Sequence, residues 1–326
     1  MRCGAGRMGT VLAPDGHRLD ATAAREPDAT GFISRDGIKV FWKRYGDGSP
    51  TLLLMPTWSL FHSRHWKLQI PYFARLFRVV TFDGRGNGRS DRPPEVDAYA
   101  DTEFVADALA VMDATGTERA VVAGLSMGAG YALRLAAEHP DRVSGAVFIG
   151  SSVPILDRPD GGPEVQVDPS FDAPQAEQGN WRNYNAGYWR RDFEGFAAWF
   201  VGEKMFSEPH STKPIEDGVA WTLDTDPETL IRTEHAPFMW PPDEWAPRNL
   251  HEGRALPFAR RVRCPALVIH GDDDRISSIA VARRLAAELD APLITIAGGG
   301  HAPLVRWPVL VNRAIRDFVR GLEPSP

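Results

Sequence analysis

The sequence predicts an α/β fold in which a mostly parallel sheet is flanked by helices and interrupted by a helical insertion. Three observations carry that expectation. Short apolar runs alternate with helix-spaced apolar segments over residues 31–155 and again over 256–322, the rhythm of βαβ units in a sheet covered on both faces. Between them, from about 156 to 255, the rhythm breaks and large aromatic residues crowd in. Gly124-Leu125-Ser126-Met127-Gly128 stands between an apolar run and a helix-patterned one, the strand, sharp turn and helix order that raises a serine for attack.

Each element has its own signal. Residues 1–30 read as a polar, mobile extension. Phe32-Ile33-Ser34 and Ile38 to Trp42 flank Arg35-Asp36-Gly37, a hairpin with its turn chemistry in place. Leu52 to Met55 and Arg78 to Asp83 are buried-strand runs, Phe104 to Ala114 has helical spacing, and Gly145 to Ile149 gives another strand. Ala120 to Ala123 leads into the serine turn, and Ala129 to Glu138 follows as a helix. Asp157 to Gln178 is rich in Pro, Gly and acid, as a flexible connector is. The second half resumes with a strand at 266–270, a helix at 277–289, a strand at 292–297 and a helix at 308–321. The division is therefore 31–155 with 256–326 as core, and 156–255 as an aromatic-rich lid.

Composition bounds the function. A chain of 326 residues with 43% hydrophobic content can bury a large core as one domain plus an insertion. A net charge of −6 provides no basic field to capture phosphates, so no nucleic-acid partner is expected. Cys3 and Cys264 cannot build a disulfide framework and suit a reducing, cytoplasmic setting. No apolar run approaches the roughly 18 residues of a membrane span, and Arg2 and Arg7 are not followed by the apolar stretch of a secretory signal. Oligomerisation stays open.

The chemistry lies in three motifs. Val268-Ile269-His270-Gly271 reads as a strand ending in a glycine turn, followed by Asp272-Asp273-Asp274-Arg275. Pro292 to Ala297 is another strand, ending in Gly298-Gly299-Gly300-His301. A serine hydroxyl needs a base within reach, an imidazole of pKa about 6.5 serves near neutrality, and a carboxylate fixes its tautomer and stabilises the imidazolium. Serine, acid and histidine follow one another here, each just past the carboxyl end of a strand. In these motifs, and over about nine-tenths of its length, the sequence resembles the α/β-hydrolase superfamily.

The resemblance implies a triad of Ser126, Asp274 and His301. The family places its acid three residues after the strand-ending glycine, which gives Asp274; residue type alone leaves Asp273 open. The three adjacent acids lack the His or Glu spacing of a metal site, so no metal is expected. For the oxyanion hole, whose donors are each worth about 3 kcal/mol, the resemblance assigns the N–H groups of Met127 and Thr57, with Trp58 as runner-up. The family's His-Gly pair is here Met55-Pro56. Pro56 has no N–H to donate, a departure that weakens the expectation of ordinary esterase behaviour. Pro56-Thr57-Trp58-Ser59 is also similar to hydrolase-like modules of some bacterial multidomain regulators. Asp83-Gly84-Arg85-Gly86-Asn87-Gly88 lacks the glycine spacing of a dinucleotide site, so no cofactor is expected.

Six of the ten tryptophans fall in the insertion. Its rings either form the insertion's own core or line an apolar substrate pocket; Trp181, Trp189, Trp199 and Trp240, with Trp58 from the loop, are the pocket candidates. The expected function is a serine hydrolase acting on an ester or thioester of an apolar or aromatic small molecule through an acyl-enzyme on Ser126. An acyltransferase, a natural-product lyase or cyclase, and a ligand-binding receptor with little turnover are the alternatives.

Overall fold

The computed structural model describes residues 25–156, 171–173, 179–245 and 253–322, with a short antiparallel ribbon of Val11–Leu12 on Arg18–Leu19. Most of the N-terminal extension and of the connector Asp157 to Gln178 lies outside the described residues.

One sheet holds β1 (Ala29–Arg35), β2 (Ile38–Tyr45), β3 (Thr51–Leu54), β4 (Arg78–Phe82), β5 (Ala120–Leu125), β6 (Val143–Ile149), β7 (Ala266–Gly271) and β8 (Leu293–Ile296). The order is β8-β7-β6-β5-β3-β4-β2-β1. β1 and β2 form an antiparallel hairpin turned by Asp36 at φ 51° and Gly37 at φ 81°, both left-handed as a tight two-residue turn requires. β2 also runs antiparallel to β4, and the remaining pairings are parallel. Helices α1 (Asp101–Ala114) and α2 (Met127–Glu138) follow β4 and β5. The insertion between β6 and β7 contains α3 (Ala186–Arg191), α4 (Phe193–Trp199), α5 (Thr212–Thr222) and α6 (Pro227–His235); α7 (Ile279–Glu288) and α8 (Pro308–Gly321) follow β7 and β8.

Every residue of β5 and β7 is buried, which is why these segments read as unbroken apolar runs rather than alternating ones. Successive strand residues point to opposite faces. Leu52 and Leu54 therefore pack with Trp66, Val311 and Ile315, whereas Leu53 packs with Phe104, Tyr131 and Leu135. Among the described residues no helix is long and apolar enough to cross a membrane.

The insertion is built from short, capped helices. Asn185 accepts a hydrogen bond from Tyr188 N (3.2 Å), Asp192 from Gly195 N (2.8 Å) and Asp226 from Thr229 N (2.9 Å). Each such cap contributes about 1 kcal/mol, which matters for helices of six to nine residues. Trp189 and Phe196 form the apolar centre, both wholly buried with ring centroids 4.4 Å apart. Trp58, from the loop after β3, enters this aromatic layer: its ring lies 5.6 Å from Phe200 and its Nε1 donates to Thr233 Oγ1 at 2.7 Å.

Polar ties complete the attachment. Thr225 Oγ1 donates to Gly86 O (2.6 Å), and His62 Nε2 lies 3.3 Å from Asp224. The segment from His62 to Trp66 holds this loop: Asp83 accepts Ser63 N at 3.0 Å, and Trp66 Nε1 donates to Met55 O at 2.9 Å. The turn after β4 is fixed by Arg85, which donates from Nε to Asp107 at 2.6 Å in a two-pronged buried pair.

Candidate active site

Ser126 sits between β5 and α2 at φ 57° and ψ −121°, a conformation that costs a non-glycine residue about 1–3 kcal/mol. The surroundings over-determine it. Ser126 N donates to Ile149 O at 3.0 Å, and its carbonyl accepts from Ala129 N at 3.0 Å. A Cβ on Gly124 would stand 2.0 Å from Gly128 O, and one on Gly128 would stand 2.3 Å from Pro56 O, so only glycine permits so close a turn. The Ser126 hydroxyl points to Ser152 Oγ, 3.3 Å away.

Asp274 and His301 meet at the end of the sheet. Their contact, Nδ1 to Oδ2, is 2.8 Å, with His301 wholly buried. Asp274 Oδ1 accepts the backbone N–H groups of Ile276 (2.8 Å) and Ser277 (3.0 Å). His270 Nε2 stands 3.2 Å from Asp274 Oδ2 and 3.0 Å from Ser277 O; with two acceptors facing it, that nitrogen carries the hydrogen. Burial acts to raise the Asp274 pKa, yet the charge of His301 and the hydrogen bonds from His270 and His301 hold it well below the usual carboxylate range. The histidine loop is clamped from the insertion, where Glu208 accepts Gly300 N at 2.8 Å.

The three adjacent acids have separate surroundings. Asp272 accepts Gly298 N at 2.7 Å, while the Asp273 side chain is exposed and 4.0 Å from Arg275. Of the three, Asp274 is the one in contact with His301.

Ser126 and His301 both line a cavity of about 770 Å³, with Thr57, Met127 and Ser152 beside them. His301 Nε2 is buried there without a hydrogen-bond partner. Thr57 is tied to the turn by its hydroxyl, which donates to Leu125 O at 2.9 Å. Met127 begins α2, so its N–H has no intrahelical acceptor.

The five tryptophan candidates divide. Trp58 and Trp240 line the cavity, Trp240 half exposed with the Arg254 guanidinium 4.7 Å above its ring. Trp181, Trp189 and Trp199 do not line it. Trp189 is packed behind Trp58, with centroids 5.9 Å apart, and its Nε1 donates to Asn183 O. Trp181 and Trp199 meet edge to face, with Lys204 5.3 Å from each ring. Short helices must bury their large rings against the rest of the insertion before any can face a ligand, and these three pack within that aromatic layer. Tyr184, Phe200 and Phe238 stand at the cavity instead.

Sequence reading did not single out Ser152, His270 or Glu234. The first two carry a usable signal, since each lies at the carboxyl end of a strand. Glu234 carries none, being one of two acids on a short amphipathic helix.

Comparison with known proteins agrees with this architecture. Residues 50–305 match the family model described as alpha/beta hydrolase fold. A bifunctional esterase/perhydrolase of Acinetobacter calcoaceticus is 26% identical over 303 residues, spanning 89% of this chain and 100% of the relative. A non-heme chloroperoxidase of Streptomyces lividans is 28% identical over 305 residues, 88% of this chain and 98% of the relative. Among solved structures, a bromoperoxidase from Bacillus anthracis superposes with a TM-score of 0.72 at 20% identity, over 90% of this chain and 100% of the other. Sheet order, helical insertion and sequence match point the same way: the chain belongs to the α/β-hydrolase fold family, as an enzyme of its general hydrolytic type.

Proposed function

We propose that the protein is a serine hydrolase that cleaves a carboxylic ester or thioester through an acyl-enzyme on Ser126. The observation that carries this reading is the His301 imidazole, bonded to Asp274 through Nδ1 and presenting an unpartnered Nε2 in the cavity shared with the strained Ser126. Ser126 Oγ exchanges its contact with Ser152 for His301 Nε2 by rotation about χ1, a contact that commonly tightens only when substrate binds. Oγ then attacks the carbonyl carbon while His301 takes its proton. The N–H groups of Thr57 and Met127 receive the oxyanion. Collapse expels the alcohol or thiol with that proton, and water, deprotonated by the same nitrogen, releases the acid and restores Ser126. Asp274 holds the imidazole tautomer and stabilises its charged form.

A fluorophosphonate probe is expected to label Ser126, and Ser126→Ala is expected to abolish both labelling and turnover of short p-nitrophenyl esters. Folded protein that resists the probe would sink this reading. A second reading keeps the acyl-enzyme and changes the acceptor. The Acinetobacter relative is named for esterase and perhydrolase activity together, and the rings of Trp58, Tyr184, Phe200 and Phe238 give the cavity an apolar wall on which a non-water acceptor can bind. Adding hydrogen peroxide or a primary alcohol during turnover would separate the two, through the ratio of peracid or new ester to free acid.

A further inference from the structure

We infer that Glu234 and Tyr184 form a polar subsite of the cavity that receives a hydrogen-bond donor, a hydroxyl or an amine, carried by the substrate away from its ester group. The inference rests on the serine hydrolase reading and adds the substrate class.

Glu234 is the penultimate residue of α6 and the one acidic side chain among the described residues lining the cavity with Ser126 and His301. Its backbone is pinned on both sides. Thr233 Oγ1 accepts from Trp58 Nε1 and donates to Leu230 O, each at 2.7 Å, and His235 Nε2 stands 3.3 Å from Asp172. Tyr184 lines the same cavity, and its phenol interacts with the Glu234 carboxyl. The phenol cannot swing aside, because its ring is wedged between Trp189 at 5.0 Å and Trp58 at 6.0 Å.

A carboxylate offers about four acceptor positions, and one tyrosine fills one of them. Glu234 lines a cavity whose walls include Trp58, Phe200, Thr233 and Arg254. Enclosure pushes the Glu234 pKa up to about 7, against a lowering hydrogen bond from Tyr184, and burial also holds the Tyr184 pKa well above its ordinary value. A carboxyl poised between its two forms in a partly apolar cavity accepts strongly from a donor that replaces lost water.

The experiment uses three matched series of p-nitrophenyl alkanoates over several chain lengths, ending in methyl, hydroxyl or amino groups of nearly equal size. At the length that reaches Glu234, the wild-type enzyme is expected to favour a donor-ended ester over its methyl counterpart by about ten-fold in kcat/KM. Glu234→Leu is expected to erase that preference. Glu234→Gln, which keeps an acceptor and loses the charge, separates the donors by retaining a hydroxyl preference and losing an amino one. Equal kcat/KM at every length, or a preference that survives Glu234→Leu, overturns the subsite while leaving the hydrolase reading intact. Calorimetric binding of the corresponding methyl esters to the Ser126→Ala protein reads the same preference without turnover. Indistinguishable affinities there reject the subsite whatever the fate of the hydrolase reading.

Discussion

Two carboxyl groups, one behind the His301 imidazole and one on the cavity wall, are driven in opposite directions. Asp274, at the end of the sheet, is almost wholly buried and is held well below the usual carboxylate pKa; Glu234, in the insertion, is pushed up to about 7. Burial opposes the charge in both cases. The difference is the company each keeps: two imidazoles and two backbone N–H groups around Asp274, against a single phenol at Glu234. Strand ends and the loops between them bring many donors to one point, because five parallel pairings align several strands' carboxyl ends at one edge. Short helices packed by their rings provide few. The rigid sheet therefore suits a permanently charged positioning group, and the insertion suits a group that responds to what is bound.

The largest expected contrast is in turnover. Asp274→Asn is expected to lower kcat by about 10⁴-fold, the loss typical when the acid of such a triad is neutralised, whereas Glu234→Gln should alter kcat/KM by about ten-fold and chiefly through substrate preference. Comparable losses in steady-state ester assays would erase the distinction between the two carboxyls. Next comes packing. Trp189→Ala should destabilise the protein by about 3–5 kcal/mol in denaturant unfolding, and Trp240→Ala by less than about 1 kcal/mol because its ring is already half exposed.

The third contrast is the sign of the pH dependence. For Glu234 the folded pKa lies above the unfolded one, so its contribution is fully present below pH about 4.5 and is lost as pH rises to about 7. That loss amounts to about 2–3 kcal/mol, and Glu234→Gln should flatten this part of the stability profile. For Asp274 the folded pKa is depressed, so its contribution is present above the ordinary carboxylate range and disappears in acid. Unfolding midpoints across pH 4 to 8 that are the same for wild type and Glu234→Gln would show Glu234 to be an ordinary exposed acid.

Smaller effects sharpen the sheet side. His270→Gln removes one of the two imidazoles on Asp274 and should reduce kcat about ten-fold, with a shift in the acidic limb of the pH–rate profile, since His270 acts through Asp274 and does not line the cavity. Asp273→Asn should change kcat by less than about two-fold, because its exposed side chain faces Arg275 and solvent.

Much of the fold and of the sheet side of the site is legible in the sequence. The strand runs, the hairpin at Asp36-Gly37 and the serine turn follow from apolar periodicity and turn chemistry, which are local properties of the chain. Boundaries moved by a residue or two, as at 279–288 for the helix read as 277–289, because helix ends are set by caps such as Ser278. The choice among Asp272, Asp273 and Asp274 came from family resemblance, and spatial selection depends on which carboxyl the β7–α7 turn directs at His301. The insertion was the least legible part. Its aromatic richness announced a buried layer, but which rings face a ligand depends on how four short helices meet: Trp181 packs on Trp199, Trp189 packs on Phe196, and Tyr184 and Glu234 line the cavity.

The sequence by itself determined the α/β class, the strained turn at Ser126 and the order in which serine, acid and histidine arrive, because backbone preference and hydrophobic periodicity act over a few neighbouring residues. Only the tertiary structure decided that Asp274 sits between His270 and His301, that Trp58 enters the insertion's aromatic layer, and that Glu234 opens onto the cavity with Tyr184. These contacts join residues from elements distant along the chain. Their identity depends on how the sheet and the insertion pack, and no local rule of composition or spacing contains that information.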